Sequence, residues 1–347
     1  MVHFIWEKIT PKPDPTHGSP CTRSSHGLSL IHSGGRLILY GGEHVARTPL
    51  EGSQATWAAD WTGGTWTWRL IEGDCPPARV AHAQAAYDDK IVFVFGGRAG
   101  ITMQEQAMND LWKLDCSSPT ETWSKVEAKG EIPEARSFHK MVCIGSELYV
   151  FGGCGAEHGR LADVHRFDIT TETWYNMGAS SLLRGRGGAN FLPLASKAKL
   201  GVVAGFAGEE TNDGHMYDVK AGSWEGEAFS KDLEGLRPRS VCVSGSFPSV
   251  GIAVIFGGEV DPSAKGHEGA GGFENDLVYL NEVTGKFLES TSAIGENWPE
   301  TRGWADADGI DEGNGVGELY LFGGLSGDDS KPTRLDDLWR LQVRKAQ

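Results

Sequence analysis

Short apolar runs alternate with polar, glycine-rich turns along the whole chain, and six of these runs stop at paired glycines or a degraded copy of them. Leu37-Ile38-Leu39-Tyr40 ends at Gly41-Gly42, Val92-Phe93-Val94-Phe95 at Gly96-Gly97, and Leu148-Tyr149-Val150-Phe151 at Gly152-Gly153. The fourth copy is Val202-Val203-Ala204-Gly205-Phe206-Ala207-Gly208; the last two end at Gly257-Gly258 and Gly323-Gly324. Runs of this length, rich in Val, Ile, Phe and Tyr and bounded by glycine, predict short buried β-strands.

Other signals return in phase with the diglycines. An arginine precedes each run: Arg23, Arg79, Arg136, Arg186, Arg239 and Arg302. Three residues after the first three of these stand His26, His82 and His139. Their recurrence predicts a structural role, bonding loop carbonyls or carboxylates between units. Downstream come an Asp-aromatic run and a Trp run, as in Asn109-Asp110-Leu111-Trp112 followed by Glu121-Thr122-Trp123. Each unit therefore holds four short strands, at steps of about 50 to 66 residues. This pattern resembles the kelch repeat, and six units imply an all-β, six-bladed β-propeller. The sixth unit ends at Asp337-Leu338-Trp339-Arg340-Leu341 without a Trp run, while the N-terminus opens with an orphan one, Phe4-Ile5-Trp6-Glu7-Lys8-Ile9. Pairing the two closes the last blade with the N-terminal strand, so residues 1–347 read as a single propeller domain.

Composition narrows the function. Lys plus Arg total 32 against 47 for Asp plus Glu, a net charge of −15, which argues against nucleic-acid or anionic-membrane partners. No apolar run approaches membrane-spanning length, and the N-terminus lacks a signal peptide's apolar core. Six scattered cysteines without a C-x-x-C pair fit a reducing cytoplasm. The stretch Asp306-Ala307-Asp308-Gly309-Ile310-Asp311-Glu312-Gly313-Asn314 lacks the spacing of a calcium loop and reads as a flexible, solvated hairpin.

On a propeller, chemistry is sought where loops depart from the repeat. The loop after the fifth diglycine carries Glu259, Asp261, Ser263 and His267 among four glycines. Carboxylates with an imidazole suit a divalent transition metal such as Fe(II). This loop resembles that of the plant specifier proteins (epithiospecifier, nitrile-specifier and thiocyanate-forming proteins), whose metal motif is E-x-x-x-D-x-x-x-H. Glu259 and His267 match; the middle position is Ser263, with Asp261 two places earlier. Either Asp261 completes the ligand set through a refolded loop, or water does. The resemblance further implies that Arg98, directly after the second diglycine, and Arg160, past the third, hold a substrate's sulfate, with Trp304 facing it.

The implied activity is an Fe(II)-dependent, lyase-like reaction on sulfated thiohydroximates, the aglycones released from glucosinolates by a myrosinase-type glucosidase, giving nitriles instead of isothiocyanates. A relative acting on another small metabolite with the same site is a variant of this reading. The alternative is a non-enzymatic kelch propeller that mediates protein–protein interaction. A copper oxidase propeller would need a tyrosine–cysteine cluster that the sequence does not offer.

Overall fold

In the computed structural model, which describes residues 2–99, 106–118, 120–227, 233–291 and 297–346 apart from the side chains of Ser53 and His267, the strands assort into six blades, antiparallel except for one short parallel pairing in the third. The second blade shows the plan: Ala83–Tyr87 lines the axis, Ile91–Phe95 follows, then Leu111–Asp115, then Thr122–Val126 outermost. The diglycine runs are the second strands. They are sandwiched between neighbouring sheets, which is why both of their faces are apolar; Ile38, Leu39, Val92, Val94, Val254 and Ile255 are all fully buried. The third blade carries two additional short strands, Lys129–Gly130 and Arg136–Ser137.

The last blade is built from both chain ends. Val2–Ile9 forms its outer edge against Lys331–Lys345, with Trp6 opposite Leu341. Trp6 lies edge-on to Trp339 at 6.4 Å and 4.9 Å from Phe256 of the fifth blade, filling the gap between two sheets.

The in-phase arginines are fully buried and act mainly within their own blades. Each donates from Nη1 to the carbonyl at the end of its blade's second strand, as Arg136 does to Gly152 at 3.0 Å. Five of the six also clamp a carboxylate: Asp110, Asp163, Asp213, Asp276 and Asp337. Arg23, whose blade lacks that aspartate, takes the carbonyl of Gln54 instead. It is the arginine main chain that reaches between blades: the carbonyl of Arg136 accepts from Gly97, and that of Arg79 from Gly42. Gly42 has φ +90°, and a Cβ there would sit 2.7 Å from the Ser24 carbonyl, so the second glycine is obligatory at this contact. The histidines are the inter-blade wedges, each ring set against an aromatic of the preceding blade: His26 on Phe322, His82 on Tyr40 and His139 on Phe95. Burial, with help from the neighbouring arginines, pushes His26 and His139 down to about 3, so the rings are neutral.

Two residues after each arginine the backbone turns to positive φ, at Ser25, Ala81, Phe138, Gly188, Val241 and Trp304. Each of these six donates its amide to the carbonyl of its counterpart one blade back, at 2.8 to 3.1 Å. The bonds run Ala81 to Ser25, Phe138 to Ala81, Gly188 to Phe138, Val241 to Gly188, Trp304 to Val241 and Ser25 to Trp304, closing a ring around the axis.

The acidic stretch is not a solvated hairpin. Asp306–Gly313 is the innermost strand of the last blade, and Asp306 and Asp308 accept the amides of Leu28 and Leu30, both at 2.8 Å, stitching the last blade to the first. Period-two alternation of the acids, masked by the intervening Gly309, was the available signal. These carboxylates line an axial cavity of about 460 Å³ with Lys140 and Lys197. Among the described residues no helix is long and apolar enough to cross a membrane.

Candidate functional site

The sixfold rule places two sets of side chains over one mouth of the axis. One set stands on the backbone ring. The other follows each second-strand glycine, at Glu43, Arg98, Cys154, Phe206, Glu259 and Leu325, and each is tied by a two-residue bridge to the segment just after an arginine, as Glu259 is to Ser240 and Arg98 to Val80. The scaffold fixes these twelve positions, and the sequence fills them differently in every blade.

A cavity of about 220 Å³ opens there. Phe138, Val241 and Trp304 of the backbone ring supply its floor, and Cys154, Phe206, Glu259, Pro262 and Ser263 line its walls. Arg160 reaches in from the third-blade hairpin, its guanidinium 4.8 Å from the Phe206 ring centroid. Among the described residues no carboxylate lies within ion-pair distance of Arg160, so its charge is available to an anion. Trp304 is held edge-on against Phe273 at 5.8 Å. Arg160, Trp304, Glu259 and Ser263, called from sequence, thus share one cavity.

Arg98 sits beside that cavity. It is 2% exposed, its guanidinium lies 5.2 Å from the Phe138 ring, and it lines an adjoining hollow bounded by the same Phe138 and Trp304. Burial lowers its pKa, Glu43 raises it again, and it remains a cation.

Glu259 is 6% exposed and its Oε1 is buried with no hydrogen-bond partner. Burial pushes its pKa up to about 7; the Ser263 and Gly271 amides pull it partly back, and the nearby Asp329 charge raises it. A second carboxylate, Glu210 of the fourth blade, stands behind the wall. It accepts from the Ser240 hydroxyl at 3.1 Å and is pushed to about 8 by burial, with the Glu259 charge adding to the effect.

Asp261 does not complete this wall. The strand pair Glu259–Asp261 and Gly272–Phe273 is irregular between the two acids, and Asp261 faces outward, bonded to Arg237 at 3.1 Å. A regular strand would have set residues 259 and 261 on one face; the bulge separates them. Ser263 does face inward, and its hydroxyl donates to the carboxylate of Asp329. His267 lies in the short turn Gly266–Glu268, and its side chain is outside the described residues. An orphaned buried carboxylate, a hydroxyl and a second acid are oxygen donors of the kind a divalent cation takes, so the chemistry of the wall fits a divalent metal. Sequence reasoning missed Phe138 and Phe206, which the sixfold geometry places at the cavity, and Asp329, which the sixth-blade hairpin brings across the blade boundary.

One further group of potential ligands, Glu134, Glu157 and His158, has its ligand atoms within 4.8 Å of one another. His158 contacts Glu134 and is raised by it; Glu157 and His158 are exposed on the hairpin that carries Arg160, while Glu134 is half-buried in the segment before Arg136.

Comparison with known proteins agrees with this architecture. A sulfolyase of Thlaspi arvense, N-(sulfonatooxy)prop-2-enimidothioate sulfolyase, is 27% identical, covering 92% of both chains. Kelch domain-containing protein 3 of Rattus norvegicus is 28% identical over 80% of this chain and 72% of its own. The solved structure titled "Structure of YjhT" superposes with a TM-score of 0.64 at 15% identity, over 92% of this chain and 99% of that one, which shows the shared fold. The profile of the KLHDC2/KLHL20/DRC7 Kelch-repeats domain matches residues 27–246, from the inner strand of the first blade to that of the fifth. With five diglycine strands and a degraded sixth, six buried arginines and that match, the chain belongs to the kelch-repeat propellers of the KLHDC2/KLHL20/DRC7 family.

Proposed function

We propose that this propeller is a specifier-type sulfolyase-like enzyme, acting on a small sulfated thiohydroximate or a close chemical relative. The observation that carries the reading is that the Arg160 guanidinium, without an ion-pair partner among the described residues, lines the same aromatic-lined cavity of about 220 Å³ as the buried Glu259 carboxylate. The sulfolyase of Thlaspi arvense, similar along nearly its whole length, supports it.

In this reading Arg160 takes the sulfate through its planar fork, held in position by Phe206. Buried Arg98, behind Phe138, adds a second positive charge to the field over the cavity. Phe138 and Trp304 pack the substrate's carbon side chain and keep water from it. Glu259, Ser263 and His267 are the residues that would hold Fe(II), which when bound supplies a Lewis acid and a partner for the thiolate sulfur. Cleavage of the N–O bond sends its electron pair to the departing sulfate. The C–S bonding pair then becomes the third C–N bond, so sulfur departs as neutral elemental sulfur, the nitrile forms, and the two negative charges of the substrate leave on sulfate. Arg160 favours this outcome by stabilising the charge that develops on the leaving oxygen.

The test is a product assay. Purified protein, handled anaerobically with Fe(II), is offered an aglycone generated in situ by a myrosinase, with chelator as control. A shift from isothiocyanate to nitrile that disappears with chelator or in Arg160→Ala supports the reading. An unchanged product ratio rejects it and leaves a propeller that grips a macromolecular partner.

A further inference from the structure

The fifth-blade loop has a serine at 263, yet an acid stands directly at that serine's hydroxyl. Asp329 sits in the two-residue turn joining Val316–Asp328 to Lys331–Lys345 of the sixth blade. Its neighbour Asp328 secures the turn, accepting the amides of Ser330 at 2.7 Å and Lys331 at 3.1 Å. That leaves the Asp329 side chain to reach across the blade boundary. One of its oxygens accepts from Ser263 Oγ, the other from the Ala264 amide at 3.2 Å. Lys265 Nζ donates to the Asp329 main-chain carbonyl at 2.5 Å, fixing the turn while sparing the carboxylate.

The loop is moulded around these oxygens. A Cβ on Gly269 would lie 2.1 Å from both Asp329 Oδ1 and Ser263 Oγ, and one on Gly271 would lie 2.5 Å from Glu259 Oε1. At Gly271 a Cβ would also lie 2.1 Å from the Asp261 main-chain carbonyl, so the backbone itself holds the loop closed beside Glu259. Glu259 and Asp329 repel each other, and among the described residues neither has a Lys or Arg side chain within ion-pair distance of its carboxylate. Two carboxylates that both bond Ser263, one of them deeply buried with an unbonded oxygen, leave a position that a cation would satisfy.

We propose that Asp329, delivered by the sixth-blade hairpin, is the second carboxylate of the metal pocket, taking in trans the place that Ser263 leaves empty of charge. The proposal rests on the metal-dependent reading above and specifies how this chain satisfies it. A divalent cation at Glu259 would then bridge two blades, so that binding it also fastens the fifth-blade loop to the sixth.

The experiment is titration of the full-length apoprotein with Co(II), followed by its visible absorption and by calorimetry, on the native chain, Asp329→Asn and the double variant Ser263→Asp/Asp329→Asn. Thermal melts without metal establish that each variant is folded. The native chain is expected to bind one Co(II). Asp329→Asn should weaken binding by roughly tenfold or more, and restoring an acid at 263 should recover most of that loss. Equal affinity in the native chain and Asp329→Asn overturns the role of Asp329 alone. Weakened binding that Ser263→Asp does not recover makes Asp329 a loop-docking residue and also overturns the proposal. A native chain that binds no Co(II) removes the metal-dependent function itself, and this inference with it.

Discussion

Ser25 donates its amide to the carbonyl of Trp304 at 2.8 Å, and that single bond joins the first blade to the last at the floor of the candidate site. Both residues sit at positive φ, 57° and 50°, a conformation a bulky side chain adopts only under constraint.

Replacing Trp304 by glycine separates floor from frame. Glycine takes this backbone conformation without strain, so relief of about 1 kcal/mol or more offsets part of the packing lost against Phe273. The melting temperature should move by only a few degrees, while binding of a sulfated ligand, followed by calorimetry, should fall steeply. A collapse in melting temperature would instead make Trp304 a structural residue.

Closure of the ring of blades depends on Trp6. Its side chain is 4% exposed between Trp339, Phe256 and Trp298. Trp6→Ala should cost about 3–5 kcal/mol in urea unfolding. Tyr175→Ala, at a more exposed aromatic of the third blade, should cost far less.

The buried arginines should behave unlike surface ones. Arg136→Ala strands the Asp163 carboxylate, to which it gives two bonds of 2.8 Å, and should destabilise by about 3–5 kcal/mol. Arg184→Ala breaks an exposed pair with Glu209 and should cost about 0–1 kcal/mol. Adding Asp163→Ala to Arg136→Ala should recover part of the first loss, measurable as a double-mutant cycle.

Acid should loosen the inter-blade wedges before it reaches the carboxylates. His26 and His139 are depressed to about 3, chiefly by burial, and His82 well below its ordinary value for the same reason. The unfolded chain therefore takes up protons first, from about pH 6.5 downward, and stability falls with decreasing pH until the folded values are reached near 3. Melting temperatures between pH 7 and 4 should show this slope, and His139→Gln should flatten it.

Arg160→Lys keeps the charge but loses the fork and the stacking on Phe206. In the specifier assay it should raise KM by roughly tenfold with a smaller effect on kcat, whereas Arg160→Ala should abolish the product shift. Equal losses in both parameters for the lysine variant would assign Arg160 to the reaction step instead of sulfate capture.

The fold was legible because its signals are local and repeat six times: the Gly41-Gly42 type of stop, the Arg136 type of anchor, and the Trp6 strand missing from the other end. Arg98, Glu259 and Trp304 could be singled out because their loops resemble those of the specifier proteins; Phe138 and Phe206 hold equivalent positions of the repeat and carried no such signal. The remainder was not, for three physical reasons. Asp329 and Ser263 are 66 residues apart and meet only because consecutive blades are neighbours in space. Asp261 is turned outward by a backbone irregularity that composition does not announce. Asp306 and Asp308 resemble a surface loop in sequence, yet their acceptors are spent on the amides of Leu28 and Leu30.

In the circle of amide–carbonyl bonds under the cavity, every donor and acceptor belongs to the main chain. What projects above it, from glycine at 188 to indole at 304, contributes nothing to those bonds. Lineages sharing this architecture are accordingly free to re-tile the basin one residue at a time, trading one ligand's chemistry for another's while the masonry beneath stays in place.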